Sequence, residues 1–337
     1  MFGKSRGWRV GFDRLSLSGV WGKPQQPKSA QAEPVEARPR RWRLALAALA
    51  TLTLLGASPL APERTGANKD IAAACGTRDG WSDPAPPAHI YGNTWYVGTC
   101  GITVVLVDTG AGLVLFDGGP QDAAPLVLAN IRALGLDPKQ VKWILATHEH
   151  FDHGGAIAAL QKATGAKLAV GPFAAQAYRT GRPFPDDPQA ESLKDKPMPP
   201  ARVDRVISDR SSLSLGGERF TALATPGHTP GSTSWYWTSC EGKICQTISL
   251  ADSVNAISAD GYRFMDHLDR HTNVIVGIGR IARMPCGILL TPHPGQSNLL
   301  ERLSSRAQLV DPSACRTYAD AGMERYKKRL EHEDADK

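Results

Sequence analysis

His148, His150, Asp152 and His153 put four potential metal ligands within six residues, in the run Thr147-His148-Glu149-His150-Phe151-Asp152-His153-Gly154-Gly155. Neutral imidazole suits borderline metals such as zinc, and a carboxylate adds a charged, hard oxygen. In an extended chain His148 and His150 point to the same side. A turn after them aims Asp152 and His153 at a second point nearby. The spacing therefore suits two adjacent metal ions better than one. Only nine histidines occur in the 337 residues, so three in one short window is a cluster that calls for a metal.

Two other segments can complete such a site. Thr225-Pro226-Gly227-His228-Thr229-Pro230-Gly231-Ser232 holds one histidine between Pro-Gly turns, and Thr291-Pro292-His293-Pro294-Gly295 holds another between prolines. Each alone is a weak signal. Together the three segments supply five His and one Asp, enough for two zinc ions with positions left open for water. The remaining histidines, His89, His267, His271 and His332, read as surface residues. His267 and His271 are four apart, but without the glutamate of a zinc-protease helix.

All three segments follow runs that read as strands. Val141–Ala146 precedes the first, Phe220–Ala224 the second and Gly287–Leu290 the third. Further strands are expected at Thr94–Val97, Ile102–Val107, Gly112–Phe116, Lys167–Val170, Arg205–Ile207, Ser232–Trp237 and Thr247–Leu250. Helical spacing marks Ala123–Leu134, Gly155–Thr164, Val274–Ala282, Leu299–Gln308 and Cys315–Glu331. This mixture predicts a layered α/β domain. Residues 62–90 read as an irregular arm, and the proline-rich stretch 181–200 as a long loop in the pocket wall. No glycine-rich phosphate loop is present, so nucleotide chemistry has no support.

At 42% apolar and 21% charged the composition is that of a globular protein. The net charge of +6 would suggest nucleic acid, but ten Lys/Arg and only three Asp/Glu lie in residues 1–43. The remaining 29 basic and 30 acidic residues nearly cancel, which excludes a strongly basic folded surface and with it a nucleic-acid partner. Arg38, Arg40, Arg41 and Arg43 precede the uncharged run Leu44–Leu55 and then small residues, the pattern of a cleaved secretory signal. The run is too short for a comfortable membrane span. The expected division is an extension at 1–39 that a later translation start such as Val35 would shorten or omit, a signal at 40–61, an arm at 62–90 and one catalytic domain at 91–337. Export implies the periplasm, and six cysteines after the signal imply disulfides there.

The pattern His148-x-His150-x-Asp152-His153 with His228 and His293 resembles the metallo-β-lactamase superfamily. Tyr91-Gly92-Asn93-Thr94-Trp95, Asp117-Gly118-Gly119, Ala251-Asp252-Ser253 and Thr291-Pro292-His293-Pro294 are similar to its subclass B3, over roughly residues 75–330. The resemblance implies a four-layer αβ/βα sandwich with two zinc ions (Zn2+) at one edge. His148, His150 and His228 would hold the first, and Asp152, His153 and His293 the second. Ser253 stands where other subclasses place a cysteine ligand, so it is expected to bind water or a substrate carboxylate. Asn255 stands where relatives carry Ser or Thr, a departure that touches the same role. Tyr262 is expected to face the substrate carbonyl. Asp117 resembles an aspartate placed behind the ligands, against the alternative of a plain turn residue. The implied disulfides are Cys75–Cys100, Cys240–Cys245 and Cys286–Cys315.

The implied function is hydrolysis of the β-lactam amide of carbapenems, cephalosporins and penicillins by water activated at two zinc ions, with Asp152 orienting the water. Such an enzyme confers antibiotic resistance. The expected state is a monomer acting on small molecules without a permanent membrane anchor. The alternative is a dizinc lactonase or another ester or thioester hydrolase of the superfamily, in which Asp252 would bridge the metals.

Overall fold

The computed structural model describes residues 69–335. The extension and signal expected at 1–61 lie outside them, as do the first residues of the arm.

Two sheets form the centre. The larger has seven strands in sequence order, β1 (Ala88–Tyr91), β2 (Thr94–Tyr96), β3 (Val105–Asp108), β4 (Leu113–Phe116), β5 (Val141–Leu145), β6 (Lys167–Val170) and β7 (Val203–Val206). Its first four strands pair antiparallel, while β4 to β7 run parallel. The smaller sheet adds β8 (Ser212–Leu215), β9 (Glu218–Ala224), β10 (Thr233–Glu241), β11 (Ile244–Leu250) and β12 (Ile288–Leu290), with β12 parallel to β11.

Period-two alternation divides each strand between two cores. Val105, Val107, Val114 and Phe116 of the larger sheet meet Phe220, Trp235, Trp237 and Ile248 of the smaller one. Phe116 stacks on Trp237 at 4.6 Å between ring centroids. The alternate residues Val104, Leu106, Leu115 and Ile144 face outward, onto helices of the larger sheet's far side. Both faces are thus covered, which is why these strands read as nearly unbroken apolar runs.

The helices are α1 (Ile71–Cys75), α2 (Ala124–Ala133), α3 (Phe151–Gly154), α4 (Ile157–Thr164), α5 (Pro172–Thr180), α6 (Ala190–Leu193), α7 (Leu268–Ile281), α8 (Leu299–Ser305) and α9 (Ala314–Ala335). Helices α2, α4 and α5 pack on the larger sheet through Val127, Ile131, Leu160 and Tyr178. Helices α7 and α9 pack on the smaller one through Val274, Ile278, Tyr318 and Tyr326. The result is the αβ/βα sandwich in one domain. No helix among the described residues is long and apolar enough to cross a membrane.

Four local expectations are corrected. The arm 62–90 is not wholly irregular: Asp70 caps α1 through Ala73 N–H, and β1 begins at Ala88. Helix α5 was not read from the pattern, although Pro172 at its first turn and the left-handed Gly181 after it are helix start and stop signals. Strand β8 was missed because Ser-Leu-Ser-Leu is short and half polar; it survives by pairing with β9. The loop 181–200 also contains the single turn α6.

Candidate metal centre

Every segment that carries a candidate site residue after a strand leaves that strand's carboxyl end, the edge where open α/β sheets gather ligands. Strand β5 delivers Thr147–His153, β9 delivers His228, β11 delivers Asp252 and Ser253, and β12 delivers His293. His150 is still extended, at φ −81° and ψ 155°, and α3 starts on the next residue. That change of conformation sends His148 and His150 one way and Asp152 and His153 another.

His148, His150 and His228 form the first cluster, with ring centroids 4.7–5.0 Å apart and all three buried. His148 also belongs to a group with Asp152 and His153. Asp152 Oδ2 lies 3.1 Å from His153 Nε2 and 3.4 Å from His293 Nε2, and the two imidazole nitrogens are 3.3 Å apart. Ligands about 2.0–2.1 Å from one tetrahedral ion stand about 3.3 Å from one another. The second triplet therefore already has the spacing that a zinc ion imposes. His148 Nε2 is buried without a hydrogen-bond partner, an orphan that a metal ion would satisfy. The donor set and its spacing fit zinc at both points.

Each ring of the first cluster is backed by a group that selects its free nitrogen. His148 Nδ1–H donates to Asp252 Oδ1 at 2.8 Å, leaving Nε2 to face the cluster. His150 does the reverse, since its Nε2–H donates to Asp187 Oδ2 at 2.9 Å and Nδ1 stays free. His228 Nδ1–H donates to the Asn255 carbonyl at 2.7 Å. His153 Nδ1 lies 3.6 Å from Asp117 Oδ2. Asp117 is no ordinary turn residue. It sits at φ 60°, a strained region for a non-glycine, and accepts from Thr147 N–H and Thr147 Oγ1–H at 2.7 Å each.

The charges respond to this packing. Burial, with His148 and His150 beside it, depresses His228 to about 3. Burial also holds His148 well below its usual range. His153 goes the other way: burial opposes its charge, but Asp152 and Asp117 raise it to about 10. Asp152 is buried too, yet His153 and His293 hold it well below the carboxylate range. Asp152 and His153 thus form a buried acid–imidazole pair.

Two buried carboxylates escaped the sequence reading. Asp187 lies in the proline-rich loop and is 4% exposed. Glu149 sits between two ligands and turns away from the cluster. Its Oε1 accepts from Gly231 N–H at 3.0 Å and its Oε2 from Thr229 Oγ1–H at 2.8 Å. It thereby ties the His148–His150 segment to the His228 turn. Gly231 is required there, because a Cβ would meet Glu149 Oε2 and the Ala174 nitrogen at 2.5 Å. The Thr-Pro-Gly context was a visible signal for that turn; nothing local marked Asp187.

The residues expected to face substrate lie on the segment after β11. Ser253 is buried, and its Oγ accepts from Asn255 N–H at 3.3 Å. The Asn255 side chain does not turn to the cluster, since its Oδ1 accepts from Arg325 Nε–H at 3.2 Å. Tyr262 stacks on His267 at 4.3 Å, and its hydroxyl is buried without a hydrogen-bond partner. Burial, aided by Asp186, pushes that hydroxyl up to about 12. Trp81, not singled out from sequence, lies 5.7 Å from both His293 and Phe151 and is 44% exposed. The other histidines stay apart from the described metal groups: His267 and His332 are exposed, while His89 and His271 are half-buried, bonded to Gly92 O and Tyr326 Oη. The disulfides are Cys75–Cys100, Cys240–Cys245 and Cys286–Cys315.

Comparison with known proteins agrees with this geometry. The metallo-β-lactamase superfamily profile matches residues 97–241. The crystal structure of the metallo-β-lactamase MIM-1 from Novosphingobium pentaromativorans is 52% identical, with a TM-score of 0.78, covering 80% of this chain and 99% of that one. MEM-A1, a subclass B3 metallo-β-lactamase from a soil metagenome library, is 35% identical at a TM-score of 0.74, over 77% of this chain and all of its own. Among curated proteins, a probable metallo-hydrolase of Burkholderia pseudomallei is 28% identical over 47% of this chain and 51% of its own length. A hydroxyacylglutathione hydrolase of Ectopseudomonas mendocina is 38% identical over 35% of each. The chain thus spans about half or less of the curated relatives it matches. Its near-complete coverage of the solved enzymes, at up to 52% identity, places it in the metallo-β-lactamase superfamily, alongside the subclass B3 enzymes.

Proposed function

We propose that this chain hydrolyses the amide bond of β-lactams, carbapenems among them with cephalosporins and penicillins, and does so with two zinc ions. The observation that carries the reading is the second triplet, Asp152, His153 and His293, at zinc-like spacing beside the three-histidine cluster. Two solved neighbours of that architecture carry the name metallo-β-lactamase. Bound zinc supplies a nucleophile at neutral pH and polarises the carbonyl under attack.

The protein's own groups then divide the work. Asp152, held ionised by its two histidines, would ligate the second ion and orient the attacking water. Asp252, Asp187 and the Asn255 carbonyl fix the three rings that would hold the first ion. Ser253 receives the substrate carboxylate through its hydroxyl, whose oxygen accepts from Asn255 N–H and whose proton stays available. Tyr262 offers a hydroxyl that burial keeps protonated, a donor for the substrate carbonyl. The three disulfides favour an oxidising compartment, the periplasm, and all six ligands come from one chain, so a monomer suffices.

A lactone or thioester hydrolase is the competing reading, favoured by the curated hydroxyacylglutathione hydrolase relative. It needs Asp252 among the metals, and Asp252 instead lies against His148 Nδ1, on the far side of that ring.

The deciding experiment is hydrolysis of a carbapenem by the purified protein, with and without a chelator, alongside metal content. Chelator-sensitive turnover at about two zinc per chain supports the proposal. Asp152→Ala and His293→Ala should each lose one zinc and most turnover; wild-type kcat in either variant contradicts it. Two zinc without turnover of any β-lactam, but with lactone or thioester hydrolysis, moves the assignment to the second reading.

A further inference from the structure

The stretch between β11 and α7 carries Ser253, Asn255 and Tyr262, yet residues 251–263 contain no helix or strand. A segment without its own backbone ladder must be ordered from outside. The outside partner along most of its length is one face of α9. Tyr318, Gly322, Arg325, Arg329 and Glu333 recur at helical spacing and each meets this stretch. Val254 N–H donates to Tyr318 Oη at 3.3 Å. At Gly322 a Cβ would meet Val254 Cβ at 2.6 Å, so only glycine lets the helix come this close.

The far end of the contact is a clamp. Arg329 Nη2–H donates to the Tyr262 carbonyl and to Ser258 Oγ, both at 2.9 Å, and its Nε–H donates to Glu333 Oε1 at 2.9 Å. The guanidinium also lies 5.8 Å from the Phe264 ring centroid. Glu333, 5% exposed, accepts from Phe264 N–H at 3.1 Å and from Met265 N–H at 3.3 Å. The clamped stretch touches the metal centre twice. The Asn255 carbonyl accepts from His228, and Ala259 N–H donates to the Pro188 carbonyl at 2.9 Å, next to Asp187 behind His150.

We infer that Arg329, together with Glu333, is a positioning residue for the substrate wall: it sets where the Tyr262 backbone, and therefore the Tyr262 hydroxyl, stands relative to the metal centre. It touches neither ligand nor expected substrate. The C-terminal helix is in this sense part of the binding site's frame.

The test is Arg329→Ala, with Glu333→Gln as a second variant and Lys327→Ala as control. Lys327 is on the same helix and pairs with Glu324 at the surface, away from the loop. Loss of two charge-assisted bonds to the loop should speed amide exchange at 258–265 by about tenfold or more, with the rest of the domain unchanged. For a β-lactam substrate, KM should rise about tenfold while kcat and zinc content stay near wild type. Glu333→Gln should act in the same direction, more weakly. The KM readout rests on the β-lactam reading; the exchange readout does not, so if no β-lactam is turned over by wild type that reading fails while the clamp is still tested. Wild-type exchange at 258–265 in both variants overturns the inference. So does an increase spread evenly over the domain.

Discussion

Removing the carboxylate behind His150 gives the sharpest test of how this centre is held. Asp187 and His150 are both buried, and the Oδ2–Nε2 contact is 2.9 Å. Asp187 Oδ1 also accepts from Gln189 N–H at 2.8 Å, which pins the loop that carries it. In Asp187→Ala the His150 Nε2–H is left buried without an acceptor, and the ring is free to rotate or change tautomer. Loss of a charged hydrogen bond of this kind costs about 1.5–3 kcal/mol. Groups that orient metal-bound histidines are worth about 10–100-fold in metal affinity, or about 1.4–2.7 kcal/mol, so the two estimates agree. Asp187→Asn keeps an acceptor and the loop contact but loses the charge, and should fall between alanine and wild type. The assay is competition for zinc against a chromophoric chelator, which resolves the two sites. The three-histidine site should weaken about 10–100-fold in the alanine variant while the Asp152 site weakens less. Equal affinity in all three proteins would refute the reasoning, because the loop would then be no part of the metal centre's support.

Two more outcomes follow from the same geometry. His153, raised to about 10 without metal, is protonated at neutral pH, and zinc must displace that proton. Zinc binding at pH 7 should therefore release a proton and tighten as pH rises toward 10. Calorimetry in buffers of different ionisation enthalpy reads the release, and heats independent of the buffer would contradict it. Gly231→Ala forces a methyl to 2.5 Å from both the Ala174 nitrogen and Glu149 Oε2. Overpacking of this kind costs about 1–3 kcal/mol, a Tm fall of about 2–10 °C for a domain of this size. An unchanged Tm would show that the turn yields freely.

The clustering of the candidate ligands was legible because chemistry and chain order coincide there. Four lie within one strand end and its first helical turn, and the other two sit in Pro-Gly turns directly after strands. Strands such as β5 and β10 were legible too, through apolar runs that both cores demand. The support behind the ligands was not. Asp187 is 37 residues from His150 in a loop with no periodicity, and only the folded chain brings them together. Asn255 looked like a substrate contact by its place after Ser253, but Arg325, 70 residues on, claims its side chain. Helix α5 was lost to its mixed composition, despite Tyr178 reaching the His148 carbonyl at 2.8 Å.

The ligand segments come from both sheets, so the metal centre does not exist until the sheets have packed. On the proposed reading, zinc binds the folded chain far better than the unfolded one, and mass action makes metal supply a term in the folding equilibrium. Free zinc at a hundred times a site's Kd adds about 2.7 kcal/mol to stability. The share of chains standing folded, and with it their lifetime against proteases, should therefore rise and fall with the zinc available around them.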